Sequence, residues 1–279
     1  MDSNSNIKGG VWERIEANKN DATKTEKKLI DKLRNVNSGD LIYMSVTELA
    51  LATEVAEATI VRFCRKLGFT GFQDFKLNLS RGIPLNEGGE APDKAYAAAA
   101  EMKDAIDATR QEIDYAQCLE IADKIINAKR VLITAVGNSY AAADIFYIKL
   151  LRLGLSVNAP RDPHIMSTAA ANLTPEDLVI VISASGSTKD ILRVTEESKK
   201  HNTEIVAITN HFNSPLAKYT DYLLYNCRKE SPASGGTLAT VVSQLYVVDI
   251  LCAAVREKLA DIAEQRAKKV SEAVADKLI

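Results

Sequence analysis

Cysteine is sparse in this chain, and its four copies are scattered. Cys64, Cys118, Cys227 and Cys252 form no CxxC pair, and no grouping of His, Cys and Asp has metal-site spacing. A disulfide framework and a bound metal are therefore not expected; buried or reduced thiols in a cytoplasmic protein are. No cofactor is expected either. A basic excess is also missing. Thirty-five Lys and Arg stand against 37 Asp and Glu, for a net charge of −2 and a pI near 6.0. Any contact with nucleic acid must then come from a local patch. The opening residues, Met1-Asp-Ser-Asn-Ser-Asn, lack the apolar region of a signal peptide. The longest apolar stretch, Ala239 to Val255, is interrupted by Ser243, Gln244 and Asp249. It reads as too short and too polar to span a membrane.

The chain is apolar enough for a sizeable core, at 46%, with an ordinary 26% of charged residues. At 279 residues, two domains are a better expectation than one.

The stretch Val179-Ile-Val-Ile-Ser-Ala-Ser-Gly-Ser-Thr-Lys-Asp190 reads as an apolar strand, a hydroxyl-rich turn and a helix start. Amides at a helix N-terminus lack intrahelical partners and sit at the positive end of the dipole, which suits an anion. Ser183, Ser185, Ser187 and Thr188 add hydroxyl donors, and Gly186 lets the backbone come close. The loop holds no Lys or Arg, so a phosphate would be held by neutral donors. The plainer reading is a capped helix, with Ser187 and Asp190 near a capping box.

Before this region the pattern is helical. Leu29, Ile30, Leu33 and Val36 share one helical face. Ser45-Val-Thr-Glu48 is a capping box that opens a second helix. A third runs from about Glu57 to Leu67 with Ile60, Phe63, Cys64 and Leu67 inward, and a fourth follows Thr70. Two short helices joined by about three residues are a helix-turn-helix layout, the second presenting Ala58, Arg62 and Arg65 at i, i+4 and i+7. From Arg62 to Arg81 five basic residues (62, 65, 66, 76 and 81) face one acid, Asp74, a local patch able to grip phosphates. A helical bundle with a solvated basic face remains the alternative on composition alone. After a Gly- and Pro-rich stretch, Gly82 to Asp93, strands at 131–136, 155–158, 178–183, 204–209 and 222–225 alternate with helices, arguing a buried parallel sheet. Two final helices, 237–255 and 257–278, close the chain; the second carries an apolar stripe that packs on its own domain or on a second subunit.

Two resemblances follow from these residues. Ala58-Thr-Ile-Val-Arg-Phe-Cys-Arg-Lys-Leu-Gly-Phe-Thr-Gly-Phe-Gln-Asp-Phe-Lys76 resembles the helix-turn-helix of RpiR-family transcription regulators. Gly137-Asn-Ser139 with Ser183-Ala-Ser-Gly-Ser-Thr188 resembles the paired phosphate loops of the SIS (sugar isomerase) domain. The resemblance implies an all-α helix-turn-helix domain (residues 1–81, the motif at about 45–67), a linker (82–93) and an α/β doubly wound parallel-sheet SIS domain (94–279). It implies double-stranded operator DNA and a phosphorylated sugar as partners, in a homodimer or higher oligomer with no membrane role. Ala58, Thr59, Arg62, Arg65 and Lys66 are the expected DNA contacts. Ser139, Ser183, Ser185 and Thr188 are the expected phosphate contacts, with Ser187 beside them. His164, read as a loop residue, and Glu230 are candidates for sugar hydroxyls, or plain exposed loop residues. The implied function is control of a sugar or amino-sugar catabolic operon, N-acetylmannosamine 6-phosphate being the leading effector; the alternative is a phosphosugar isomerase or lyase. Two residues depart from the family pattern: Glu54 replaces the usual turn Gly, and Ala56 the usual cap Ser, which puts the shape of the turn in question.

Overall fold

A computed structural model describes residues 10–35, 41–81, 94–226 and 238–275. The chain divides into two compact units, with the boundary between Lys94 and Ala95. The proposed linker, Glu230 and Cys227 lie outside the described residues.

The N-terminal unit holds five described helices: α1 (Val11–Ala17), α2 (Lys24–Asn35), α3 (Val46–Thr53), α4 (Glu57–Lys66) and α5 (Phe72–Arg81). Ser45 caps α3 as its spacing predicts. Its hydroxyl accepts from the Glu48 amide, and the Glu48 carboxylate accepts from the Ser45 amide. Leu29, Ile30, Leu33, Leu49, Ile60, Phe63 and Phe75 fill the core, each at most 1% exposed. Val11 and Ile15 are buried in the same core and Trp12 packs on it, so α1 belongs to this unit.

The turn between α3 and α4 keeps a left-handed residue although no glycine is available. Glu54 has φ 53° and ψ 38°, a conformation that costs a non-glycine residue about 1 kcal/mol or more. Its carboxylate bonds Lys28 Nζ of α2 at 2.8 Å, tying the strained residue to a neighbouring helix. Ala56 occupies the N-cap of α4 and gives no side-chain bond, so this helix start lacks roughly 1 kcal/mol of capping.

Lys76 corrects the sequence reading. It was counted in the basic patch, but it is 4% exposed. Its ammonium donates to the Met44 carbonyl at 2.8 Å and lies 5.4 Å from the centre of the Phe72 ring. Burial pulls its pKa down to about 8.

The C-terminal unit begins with α6 (Lys94–Glu112) and α7 (Tyr115–Asn127) and continues as alternating strands and helices. The strands are β1 (Val131–Ala135), β2 (Val157–Asn158), β3 (Leu178–Ile182), β4 (Glu204–Thr209) and β5 (Tyr222–Tyr225). They pair in parallel in the order β2-β1-β3-β4-β5. Between them run α8 (Tyr140–Arg152), α9 (Pro163–Ala170) and α10 (Lys189–Lys200). After β5 come α11 (Leu238–Leu259) and α12 (Asp261–Val274).

Both faces of the sheet are covered, which is why its strands are nearly continuous in apolar residues. Ile133, Ile180, Ile182 and Ile208 share one core with residues of α7, α8 and α11. Leu132, Val179, Val181 and Ala207 share another with α9 and α10. On α7 the buried residues are Cys118, Ile121, Ala122 and Ile125, while Ala116 is exposed.

At 22 residues, α11 is long and apolar enough by length and composition to cross a membrane, contrary to the sequence reading. Its Val247, Val248, Leu251 and Val255 are nevertheless fully buried in the core beside the sheet. The three described cysteines, Cys64, Cys118 and Cys252, are buried without disulfides, and burial pushes their thiols up to about 12, 11 and 12. Ala260, at φ 43°, separates α11 from α12. The latter docks on its own unit through Ala263 and through Arg266, which donates to the Leu153 carbonyl, whereas Ile262 is half exposed.

Candidate functional site

The sheet order places the switch point between β1 and β3: from β1 the chain moves outward to β2, then returns across β1 to β3. Ligands of open parallel sheets bind at such points, beyond the carboxyl ends of the strands. Ala135 pairs with Ile182 at the ends of β1 and β3, so the Gly137–Ser139 and Ser183–Thr188 segments rise from adjacent strands. Gly137–Ser139 forms a 3-10 turn leading into α8.

The second loop is folded tightly by its own bonds. The Ser183 amide donates to Ile208 of β4 and the Gly186 amide to Ser183. Gly186 has φ +57°, and a Cβ there would lie 2.3 Å from Ser214 Oγ. The Leu216 amide donates to the Gly186 carbonyl, and Asn210 and Thr209 both donate to the Ala184 carbonyl. The end of β4 and the segment after it thus clamp the loop from outside.

Within the loop the hydroxyls differ. Ser187 turns back: its Oγ donates to the Ser185 carbonyl at 2.9 Å, and its amide donates to Ser185 Oγ at 3.3 Å. The N-cap of α10 is Thr188, whose side chain makes no capping bond, so the capping box expected from Ser187 and Asp190 does not form. Ser183 is 4% exposed. Ser183, Ser185 and Thr188 thus bring neutral hydroxyls to the start of a twelve-residue helix, chemistry suited to one anion.

Ser139 brings in a residue that sequence reasoning missed. Gln244 Nε2 on α11 donates to Ser139 Oγ at 3.0 Å, and the Gln244 side chain is fully buried. Nearby in sequence, Ser243 Oγ donates to the Thr240 carbonyl and accepts from Asn226 Nδ2 at the end of β5. Among the described residues, Thr240 Oγ1, Asn226 Oδ1 and Gln244 Oε1 are buried without a hydrogen-bond partner, a costly arrangement for a purely structural helix. The available signal was the polar interruption of an apolar run by Ser243 and Gln244, which composition alone ties only to membrane propensity.

His164 is not a loop residue. It lies in the first turn of α9, after Pro163, where Asp162 caps the helix by accepting from the His164 and Ile165 amides at 2.9 and 3.0 Å. It is exposed, on the crossover from β2 to β3, and the helix that carries it shares a core with α10, the helix that the serine loop opens.

In the N-terminal unit, α4 presents the expected stripe. Ala58, Arg62 and Arg65 are exposed and Thr59 is half-buried, with Arg62 Nη2 3.5 Å from Thr59 Oγ1. Lys66 is engaged within the unit: its ammonium donates to Glu26 Oε2 and to the Asp21 carbonyl, both at 2.9 Å. Burial alone would raise the Glu26 pKa, but bonds from Thr23 and Lys66 hold it below the usual value. The outward patch on α4 is therefore narrower than the sequence count suggested.

Both units match known families. A helix-turn-helix domain model of the rpiR family matches residues 9–84, and the SIS domain model matches residues 124–254. The chain belongs to the RpiR family of helix-turn-helix transcriptional regulators. An uncharacterised HTH-type transcriptional regulator of Clostridium perfringens is 31% identical over 96% of this chain and 100% of its own length. Another from Haemophilus influenzae is 31% identical over 97% of this chain and 98% of its own. Among solved structures, the Vibrio vulnificus NanR protein complexed with ManNAc-6P superposes with a TM-score of 0.88 at 26% identity, covering 96% of this chain and 99% of that one. The family member described here is a transcriptional regulator that joins a helix-turn-helix unit to a SIS unit.

Proposed function

We propose that this regulator reads operator DNA with α4 and that a phosphorylated sugar held by Ser139, Ser183, Ser185 and Thr188, with Ser187 bracing the loop through Ser185, sets its operator affinity. The observation that supports the reading is the pair of loops at the β1–β3 switch point, with neutral hydroxyls and helix-start amides on a loop that Gly186 lets pack tightly against Ser214. Arg62 and Arg65 are the DNA-reading side chains. A base-edge contact by either is worth about 1–3 kcal/mol of discrimination. An amino-sugar 6-phosphate, with N-acetylmannosamine 6-phosphate first, is the effector that the full-length likeness to the ManNAc-6P complex supports. The operon controlled is one for sugar or amino-sugar catabolism. The working form is a cytoplasmic homodimer, because recognition helices of this type pair across half-sites about one helical turn apart.

The isomerase reading needs an acid and a base within hydrogen-bond reach of the sugar. Among the described residues the candidate is His164, exposed on the first turn of α9. Binding without a placed acid–base pair does not lower the barrier, so the regulator reading is favoured.

The test is a gel shift on the upstream DNA of the protein's own operon, with and without N-acetylmannosamine 6-phosphate, glucose 6-phosphate and fructose 6-phosphate. One sugar phosphate shifting operator affinity 5- to 150-fold, the usual span of allosteric coupling, supports the reading. No retardation of any DNA, or turnover of a hexose phosphate lost in His164→Ala, sinks it.

A further inference from the structure

The basic surface of the N-terminal unit is not where the sequence count put it. Of the five basic residues between Arg62 and Arg81, Lys76 is buried and Lys66 is paired with Glu26. Positive charge gathers instead on α2, at Lys24, Lys27, Lys28 and Lys32. These four line an open groove of about 680 Å³ with two carboxylates, Asp31 and Glu54, so the groove carries a net charge of +2. Lys28 is committed to Glu54 at 2.8 Å. Among the described residues, no carboxylate pairs with Lys24, Lys27 or Lys32.

The position of this groove follows from two contacts. Glu54, bonded to Lys28, lies in the turn that leads into the N-terminal end of α4. Lys66, bonded to Glu26, lies at the other end of α4. Helix α2 is therefore tied to both ends of the recognition helix, with its start toward Lys66 and Lys28 beside the turn that leads into the N-terminal end, the end that enters the groove of DNA in this type of reader. Lys24 and Lys32 are eight residues apart, about 12 Å along the helix axis. Their charges are spread over a length that spans several phosphates of one DNA strand, each about 3.4 Å of axis from the next. The local field is already visible in Glu54, whose carboxyl is held below its usual pKa by its bond to Lys28 and by the charges of Lys28 and Lys32.

We propose that the α2 face formed by Lys24, Lys27 and Lys32 is a second DNA-contact surface, gripping backbone phosphates beside the site read by α4. It carries no sequence information and supplies affinity. The proposal rests on the operator-binding reading above. It accounts for how a chain of net charge −2 holds a polyanion with few basic residues outward on its recognition helix. Lys28 has a different task, anchoring the left-handed Glu54.

The test uses the full chain with Lys24, Lys27 and Lys32 changed together to Gln, a matching triple change to Arg, and Arg62→Ala. Affinity for an operator duplex and for a scrambled duplex is measured from 50 to 200 mM KCl. Each lost phosphate contact lowers the slope of log affinity against log salt by about 0.9, so the Gln variant is expected to lose two to three units of slope per bound chain. Operator and scrambled duplex should weaken by the same factor, and the Arg variant should keep the wild-type slope. An unchanged slope in a Gln variant with wild-type Tm, alongside an operator loss in Arg62→Ala, overturns the proposal alone. No loss in either variant overturns the operator reading itself.

Discussion

Gln244 and Ser139 are 105 residues apart in the chain, yet Gln244 Nε2 donates to Ser139 Oγ at 3.0 Å inside the C-terminal unit. By using a lone pair of the serine oxygen, the amide leaves the hydroxyl proton to point elsewhere. An anion above the β1–β3 switch point is the acceptor that arrangement suits. On the proposed reading of the site, Gln244 positions Ser139 for the ligand.

Gln244→Ala is expected to weaken binding of the sugar phosphate about tenfold, the worth of roughly one hydrogen bond, without changing operator affinity in its absence. Ser139→Ala added to it should cost less than it does alone, since residues in contact are not additive. Calorimetry on the two single variants and the double variant measures this. Strict additivity would separate the two residues.

Ser185→Ala with Thr188→Ala removes two donors to a charged acceptor, each worth about 1.5–3 kcal/mol. The ligand should bind at least about 100-fold more weakly. Ser185→Glu places a carboxylate where the phosphate belongs and should abolish the response. Both variants should hold operator as the wild type does without ligand. A wild-type response to ligand in the gel shift would place the site elsewhere.

At Gly186, alanine meets two obstacles: φ of +57°, and Ser214 Oγ 2.3 Å from the new Cβ. Gly186→Ala is expected to lower Tm of the C-terminal unit and to lose the sugar phosphate. Adding Ser214→Gly removes the clash but not the strained φ, so it should recover part of the stability. Thermal melts of the three proteins are the check, and an undisturbed melt for Gly186→Ala would contradict the loop geometry.

Lys76 gives the N-terminal unit a pH dependence of definite sign. Its pKa is about 8 folded, against 10.5 for the ordinary side chain. Between those values the unfolded chain binds more protons, so stability rises with pH across that window. The unfavourable contribution, on the order of 3 kcal/mol, is fully present below about pH 8. Lys76→Met lacks this titration. The stability difference between variant and wild type should therefore shift in favour of the wild type from pH 7 to pH 10. A difference that stays constant across denaturant titrations at those pH values would show that Lys76 is not desolvated as described.

Much of this molecule could be read locally. The Ser45–Glu48 capping box, the i, i+4, i+7 stripe of Ala58, Arg62 and Arg65, and the strand–turn–helix at Val179–Asp190 each lie within about a dozen residues. The interactions behind them are helix caps, side-chain periodicity and orphan amides, which contiguous sequence specifies. The strand alternation was legible for the same reason, apart from the short β2.

The remainder depended on which distant residues meet. Composition counted Lys76 in the basic patch, but packing against Phe72 and Met44 decided that its charge is buried rather than offered to DNA. Lys66 looks like any outward lysine until Glu26 and Asp21, forty or more residues earlier, are brought to it. Glu54 in a glycine position looked like a defect in the turn until Lys28 was found beside it. Ser243 and Gln244 looked like interruptions in an apolar run until Asn226 and Ser139 were folded against them. A charge or an amide has no intrinsic partner, and its energy is set by local burial and by what lies within about 3 Å. Sequence therefore determined the elements and the hydroxyl-rich loop between β3 and α10, whereas tertiary structure decided which polar side chains are spent inside the protein and which stay outward.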